Sequence, residues 1–465
     1  MKVGIAVPIY NTQEYLKECL DSILKQKFNN FEVCLINDGS SDDSLKIALE
    51  YVKKDKRFFI IDKVNKGQSA ARNNAIAYFK NEISFTLDKK DDDFIYYKST
   101  NKKDIKNIIC SRKKKQLKVT SITHIIFLDS DDYWHEDILS LCAKNALSND
   151  IVWFDFKMFT DELDESFNPS WNRMRKYDFN KDIILKNQDI INLFKEHQTT
   201  QFPFMVDGLI NFSYLKKLDL SLLNDGYAED HYFGLMLFLQ ASSVYVLNKQ
   251  LYFYRVRVNS SCNFDKKITK DSILPHFKEL QDIFFNDYDM AKRFYNFKGY
   301  LISAYNIMLF FKAHGKYGQI AHNIVCFYYN HLLSLAKFYV YPNNCLKYFE
   351  EIEEYLKDNN YANFGARIRV RTSLAYKLGL ACINIKDKIK LPFLLIKVAK
   401  AHKNEKIKNC NLSFIKQYQD YNAALQLKEH KTYKLGQELI NLKKNWYKGA
   451  IFSFIKNVKK LYEKK

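Results

Sequence analysis

Three carboxylates fall within four residues at Asp129-Ser130-Asp131-Asp132, directly after the apolar run Ile125-Ile126-Phe127-Leu128. Charges of one sign this close repel, so their ionised forms need a cation or hydrogen-bond donors. Hard oxygen ligands of this kind suit Mg²⁺ or Mn²⁺, and either ion would bridge a diphosphate. An acidic cap for a helix over 135–146 uses the same residues. A second cluster, Asn37-Asp38-Gly39-Ser40-Ser41-Asp42-Asp43, follows another apolar run. Asp38 stands where a strand gives way to a turn, and a carboxylate there accepts from a ribose hydroxyl or a base N–H. An Asx turn and helix cap accounts for Ser41 to Asp43 equally well. A third stretch is Asn65-Lys66-Gly67-Gln68-Ser69-Ala70-Ala71-Arg72-Asn73. Gly67 permits close backbone approach. Arg72, in the first turn of the next helix, is placed to reach a carboxylate or a nucleotide; a plain loop and helix cap fits as well. The fourth is Glu229-Asp230-His231. Acidic residues in a first helical turn commonly face the helix dipole. As chemistry, the pair offers a general base if one carboxylate faces a substrate. His231 is adjacent on the helix and faces another way, which assigns it to packing or acceptor contact.

These clusters need elements to hold them. Residues 3–7 form a short apolar run closed by Pro8, and Thr12 reads as the cap of a helix carrying Tyr15, Leu16, Cys19, Leu20 and Ile23. Strands at 31–36 and 58–61 alternate with helices at 44–54 and 69–78. This β-α-β-α-β order means a parallel, doubly wound sheet, in which ligands sit at the C-terminal strand ends. Residues 81–123 break the rhythm with the charge runs Asp88-Lys89-Lys90-Asp91-Asp92-Asp93 and Arg112-Lys113-Lys114-Lys115. They read as an insertion and a surface excursion. The sheet resumes at 125–128, with further strands at 151–154, 244–247 and 251–254 and a helix starting near Glu229. Beyond about 267, apolar residues recur at helical spacing (Leu301, Tyr305, Leu309, Phe310), so a mainly helical region is expected. The division is 1–265 and 266–465.

Composition sets the outer limits. The chain has 465 residues, 47% of them hydrophobic and 15% aromatic, enough to bury two or three domain cores. Nine scattered cysteines without a CxxC pair argue against a zinc ribbon or a disulfide scaffold and suit a reducing cytosol. The start is too short in apolar residues for a signal peptide, and no run approaches a membrane span. The net charge is +20, and residues 381–465 carry 20 Lys, no Arg and six acidic residues. A Lys-dominated, Arg-free field suits phosphate or anionic lipid. A genome that spends Lys on every solvated helix face gives the same composition.

Together, Val7-Pro8-Ile9-Tyr10-Asn11 with Tyr15–Ile23, Asn37-Asp38-Gly39-Ser40, Gly67 with Ala71-Arg72-Asn73, and Phe127-Leu128-Asp129-Ser130-Asp131-Asp132 resemble family 2 glycosyltransferases of the GT-A fold, in the family's order. The resemblance covers about 1–265, with 81–123 outside the general pattern; Asn73 and Asp129 lie 56 positions apart, farther than is usual. A closer likeness is to bacterial lipooligosaccharide β-1,4-N-acetylgalactosaminyltransferases and capsule glycosyltransferases, carried also by Glu229–Gly234 and Tyr254–Ser260. The resemblance implies an α/β fold with a mostly parallel sheet, followed by a helical C-terminal region. It implies that Pro8, Tyr10, Asp38, Gly67, Arg72 and Asp129 line a UDP-sugar site, with Asp38 on a base N–H. Asp131, with Asp129, would hold Mn²⁺ or Mg²⁺. Asp230 would be the general base of an inverting transfer to a lipooligosaccharide, capsule or other surface glycan. Arg255 or Arg257 would contact the diphosphate or order a closing loop. The setting implied is cytoplasmic, at the inner membrane face, with the basic C-terminal region and Trp446, Tyr447, Phe452 and Phe454 against anionic lipid; a helical bundle burying those aromatics is the alternative.

Two other classes fit parts of this pattern. A nucleic-acid-binding protein fits the charge, but no nucleic-acid-binding motif supports it. A nucleotidyltransferase fits the α/β sheet and acidic ligands but lacks its Gly-rich phosphate loop.

Overall fold

The structure is a computed structural model. It describes residues 1–114, 116–117, 121–160, 173–224, 228–257, 288–335, 344–357 and 428–445, with short stretches between 375 and 426 and at 454–458. The chain divides into two compact units, Met1–Lys267 and Ile268–Lys465.

The first unit is built on one mixed sheet. Its elements run β1 (Val3–Ile9), α1 (Leu16–Leu24), β2 (Phe31–Asn37), α2 (Ser44–Lys54), β3 (Phe58–Lys63), α3 (Gln68–Phe79), β4 (Phe85–Lys90), β5 (Phe94–Ser99), β6 (Ile105–Ser111) and β7 (His124–Phe127). They continue with β8 (Tyr133–Trp134), α4 (Ile138–Ala146), β9 (Ile151–Phe159), α5 (Arg173–Lys176), β10 (Ile183–Lys186), α6 (Asn187–Glu196), β11 (Gly208–Asn211), α7 (Phe212–Leu218), α8 (Glu229–Gln240) and β12 (Ser243–Arg255). Among the described residues the strand order is β10-β12-β9-β11-β7-β1-β2-β3-β6-β5-β4, with β8 on β12.

Strands β7, β1, β2 and β3 are mutually parallel. Every residue of β1, β2, β3 and β7 is buried, which is why they read as continuous apolar runs rather than alternating ones. The chain leaves β1 toward β2 on one side and reaches β7 on the other. The C-terminal ends of β1 and β7 therefore flank a topological switch point, where such sheets bind ligands.

Residues 81–123 are not a surface excursion. They supply β4, β5 and β6, which extend the sheet because β6 pairs antiparallel with β3. Ile95 and Tyr97 alternate inward along β5, and Ile105, Ile108 and Ile109 are buried on β6. The charge runs fall on the edge strand β4 and on the turn after β6, where charge blunts further pairing.

Three smaller expectations also change. Thr12 does not cap α1 with its side chain; its hydroxyl donates to Ser130 Oγ at 3.0 Å, while its carbonyl accepts the Leu16 N–H. The helix expected over 135–146 begins at Ile138, because Tyr133 and Trp134 pair with β12. The two strands expected at 244–247 and 251–254 are one strand, β12, irregular in register between Leu247 and Tyr252.

The described part of the second unit is helical: α9 (Tyr288–Ala313), α10 (Gly318–Leu335), α11 (Asn344–Lys357) and α12 (Lys431–Asn445). Phe297 stacks on Phe349 at 5.8 Å, and the Tyr329 hydroxyl donates to Glu353 at 2.6 Å inside this core. No described helix is long and apolar enough to cross a membrane. Trp446, Tyr447 and Phe452 lie outside the described residues, as does most of the Lys-rich stretch.

Candidate active site

The site forms where β1, β2, β3 and β7 end. Pro8 is buried within β1, opposite Ile36. Tyr10 follows it, half-buried, and its phenol pKa is raised by burial and then by the charges of Asp38 and Asp42. Asn11 takes a positive φ of 50° and ties the β1 end to the β2 loop: its Oδ1 accepts the Ser41 N–H at 2.8 Å.

Asp38 sits at the end of β2, only 3% exposed. Its Oδ1 accepts from Lys63 Nζ at 2.5 Å and the Lys66 N–H at 3.0 Å, and its Oδ2 from the Gly67 N–H at 2.8 Å. A carboxylate offers about four acceptor positions, so one remains. Two glycines make this corner possible. Gly39 has φ +71°, and a Cβ there would come within 2.9 Å of the Asn65 nitrogen. Gly67 has φ +86°, a left-handed conformation that aims its N–H at Asp38.

The next group gathers around Arg72, in the first turn of α3 and 3% exposed. Its Nη2 donates to Asp129 Oδ1 at 2.5 Å, and its Nη1 lies 3.7 Å from Glu229 Oε1. Burial pulls the guanidinium pKa down, but the charges of Asp129 and Glu229 outweigh it and the net shift is upward. Arg72 therefore links the β7 end to the start of α8. Gln68 adds a contact to Asp129 at 3.3 Å.

The three acidic residues after β7 separate into three roles. Asp129 faces Arg72. Asp131 pairs through Oδ2 with Arg257, and its pKa is raised, chiefly by burial. Asp132 is buried and structural: Tyr252 donates to it at 2.5 Å and the Arg255 N–H at 2.7 Å. Burial, then the charges of Asp131 and Asp129, push its pKa well up. Arg255 pairs with Glu18, donates to the Asp131 carbonyl at 2.9 Å and packs on the Tyr15 and Phe159 rings. It is thus a strut of the acidic loop, while Arg257 faces its carboxylate.

Helix α8 contributes Glu229 and Asp230 from its first turn, after Ala228 in a left-handed conformation with φ 67°. Asp230 is partly exposed; its Oδ1 accepts the His231 N–H at 2.9 Å. Its charge reaches both Arg72 and Glu229. Glu229 is the more buried of the pair, and burial, then the charge of Asp230, push its pKa up to about 7. His231 is half-buried, its pKa lowered by desolvation, with Nδ1 unpaired.

Among the described residues no group of three or more His, Cys, Asp or Glu could hold a metal ion. Asp129 and Asp131 are two hard ligands, each with one oxygen not committed to an arginine. Mg²⁺ commonly binds one or two carboxylates and completes its shell with substrate phosphates and water. The pair fits an ion of that kind shared with a diphosphate.

Sequence reasoning missed Lys63, Gln68, Asp104 and the contact of Glu229 with Arg72. Lys63 left one signal, a cation at the C-terminal end of a parallel strand, where ligands and their supports collect.

Parallel strands ending at a switch point, with acidic loops gathered at their ends, make an α/β fold of GT-A type. Residues 4–102 match the family model of glycosyl transferase family 2, and residues 331–465 match a domain family of unknown function. The chain is 28% identical over 298 residues to the uncharacterized glycosyltransferase EpsJ of Bacillus subtilis, covering 62% of this chain and 71% of that one. It is 29% identical over 185 residues to chondroitin synthase of Escherichia coli, covering 38% of this chain and 25% of that enzyme. A crystal structure of S. aureus TarS, residues 1–349, aligns over 88% of this chain and 93% of that one, with 16% identity and a TM-score of 0.45. Residues 4–102 thus carry the match to glycosyl transferase family 2, and the chain is similar to bacterial glycosyltransferases.

Proposed function

We propose that the chain transfers a hexose or N-acetylhexosamine from a UDP-sugar to a surface-glycan acceptor, with inversion, metal assistance and Asp230 as general base. The observation that carries this reading is the bridge made by Arg72, which sets the Asp129 carboxylate and the start of α8 on one guanidinium. The remaining acceptor position on Asp38 suits the N–H of a uracil, and Tyr10 lies beside it. Asp129 and Asp131 would hold Mn²⁺ or Mg²⁺. That ion, when bound, neutralises the charge that grows on the leaving diphosphate. Asp230 takes the proton of the attacking hydroxyl, and attack from the face opposite the diphosphate inverts the anomeric centre. Arg257, beside Asp131, supplies positive charge where the diphosphate would lie. The basic C-terminal region suits an anionic, lipid-linked acceptor at a membrane surface.

The test is thermal stabilisation by UDP and a panel of UDP-sugars, with and without Mn²⁺, since a ligand of the native state raises stability by mass action. A shift with UDP that requires Mn²⁺ and disappears in Asp131→Ala supports the reading, and the best sugar names the donor. No shift with any uridine nucleotide overturns the UDP assignment.

A further inference from the structure

The inserted strands have no part in the chemistry above, yet one of their residues reaches the nucleotide corner. Asp104 lies in the turn between β5 and β6. Its backbone carbonyl accepts the Val64 N–H at 2.9 Å, just past β3. Its Oδ2 accepts from Asn74 of α3 at 3.0 Å and lies 3.8 Å from Lys63 Nζ. Val64 and Asn74 flank the loop whose Lys66 and Gly67 amides point at Asp38. Asp104 therefore holds both ends of that loop from outside. Lys63 completes the link. It is fully buried, and Nζ donates to Asp38 Oδ1 at 2.5 Å and to the Val64 carbonyl at 2.8 Å, with Asp104 as its third neighbour. A lysine so buried persists only with its charge matched, and here Asp38 at 2.5 Å and Asp104 at 3.8 Å match it.

We propose that the insertion is a brace for base recognition: Asp104 and Lys63 are positioning residues that fix the Asp38 carboxylate and the amides of Lys66 and Gly67 for the donor's nucleobase. The proposal rests on the reading of the Asp38 corner as the nucleotide site. It gives residues 81–123 a function inside the donor site. The contacts are selective. Asp104 touches the loop flanks and Lys63, whereas Asp129, Asp131 and Asp230 lie on other elements. Weakening the brace should therefore loosen nucleotide binding and spare the transfer step.

The experiment measures UDP affinity by calorimetry, and KM and kcat with the best UDP-sugar, for the unsubstituted chain, Asp104→Ala, Asp104→Asn and Lys63→Met. Hydrogen exchange at the Lys66 and Gly67 amides is followed in parallel. Asp104 is partly exposed, so Asp104→Ala is expected to fold, and it keeps the proposal testable even if Lys63→Met does not. Expected in Asp104→Ala are a UDP Kd and a donor KM raised about tenfold, the size of one lost charge-assisted contact. With them come unchanged kcat and faster exchange at the two amides. Asp104→Asn keeps an acceptor for Asn74 but not the charge facing Lys63, so it should recover part of the affinity. Lys63→Met should lose affinity for UDP more than for the diphosphate alone, because its effect passes through the base. UDP affinity untouched in a folded Asp104→Ala, or a fall in kcat without a change in KM, overturns the brace and leaves the nucleotide site standing. Failure of the unsubstituted chain to bind UDP overturns the site and the brace together.

Discussion

Glu229 is a carboxyl held against its solution preference, and this gives a stability signature that can be worked out. Burial, then the neighbouring charge of Asp230, raise it from 4.5 to about 7, with Arg72 opposing. A carboxyl raised above its unfolded value stabilises the folded chain while it is protonated. Its contribution is full below the unfolded value and is lost as pH rises through the folded one. Between pH 5 and pH 8 that loss is on the order of a few kcal/mol for this shift. Glu229→Gln removes the titration and keeps the shape. Urea unfolding followed by tryptophan fluorescence reports on this unit through the buried Trp134 and Trp153. The unfolding free energy of the unsubstituted chain, less that of Glu229→Gln, should fall by a few kcal/mol from pH 5 to pH 8. Asp131 and Asp132 are also raised by burial, but both proteins carry them, so their effects cancel in the difference. A difference that stays flat across this range would refute the argument that Glu229 is buried beside a second ionised carboxylate.

Two further outcomes follow from the same geometry. Asp230→Asn should lower kcat by about 10²- to 10⁴-fold, the usual share of a general base, with UDP affinity within twofold of the unsubstituted chain; steady-state kinetics and calorimetry check both halves. Gly67→Ala meets no atom within 4 Å, so its cost is the backbone conformation alone, φ 86° with ψ 167°, a region almost confined to glycine: about 1–3 kcal/mol of unfolding free energy, together with weaker UDP binding as its N–H turns from Asp38.

The parallel core was legible because fully buried strands must be apolar runs, and each ends in polar residues that a hydrophobic strand cannot continue. The clusters at 37–43, 65–73 and 129–132 could be located for that reason, and the structure brings Asp38 to Gly67 and Arg72 to Asp129. Strands β10 and β11 were not legible. Four residues such as Gly208-Leu209-Ile210-Asn211 show no period, and β11 is a strand because it fits antiparallel between β7 and β9. The insertion was misread because its charges were weighed before its alternation. Phe94-Ile95-Tyr96-Tyr97 alternates in burial, but charge runs stand on either side of it. Lys63 went unnoticed for a related reason. At the end of β3 it reads as a solvated strand terminus, and it is buried only because β6, from the insertion, lies alongside.

The acidic loop after β7 shows how far charge reasoning reaches. Three carboxylates in four residues required compensation, and a metal ion was one way to supply it. The structure supplies another for each: Arg72 for Asp129, Arg257 for Asp131, and the Tyr252 hydroxyl with the Arg255 amide for Asp132. Each carboxylate of the loop therefore has a protein partner, and its acidity alone does not demand a cation. The argument for an ion rests instead on the uneven partnering of the three. Asp132 is buried and accepts on both oxygens, which leaves it no role toward a ligand. Asp129 and Asp131 are each tied at one oxygen by an arginine, and an arginine is a fixed positive charge that a diphosphate also attracts. Under the proposed reading, a donor that brought a divalent cation would let Asp129 and Asp131 turn to the metal and Arg257 to a phosphate. Such an exchange would keep each of these half-buried charges matched, with and without the donor.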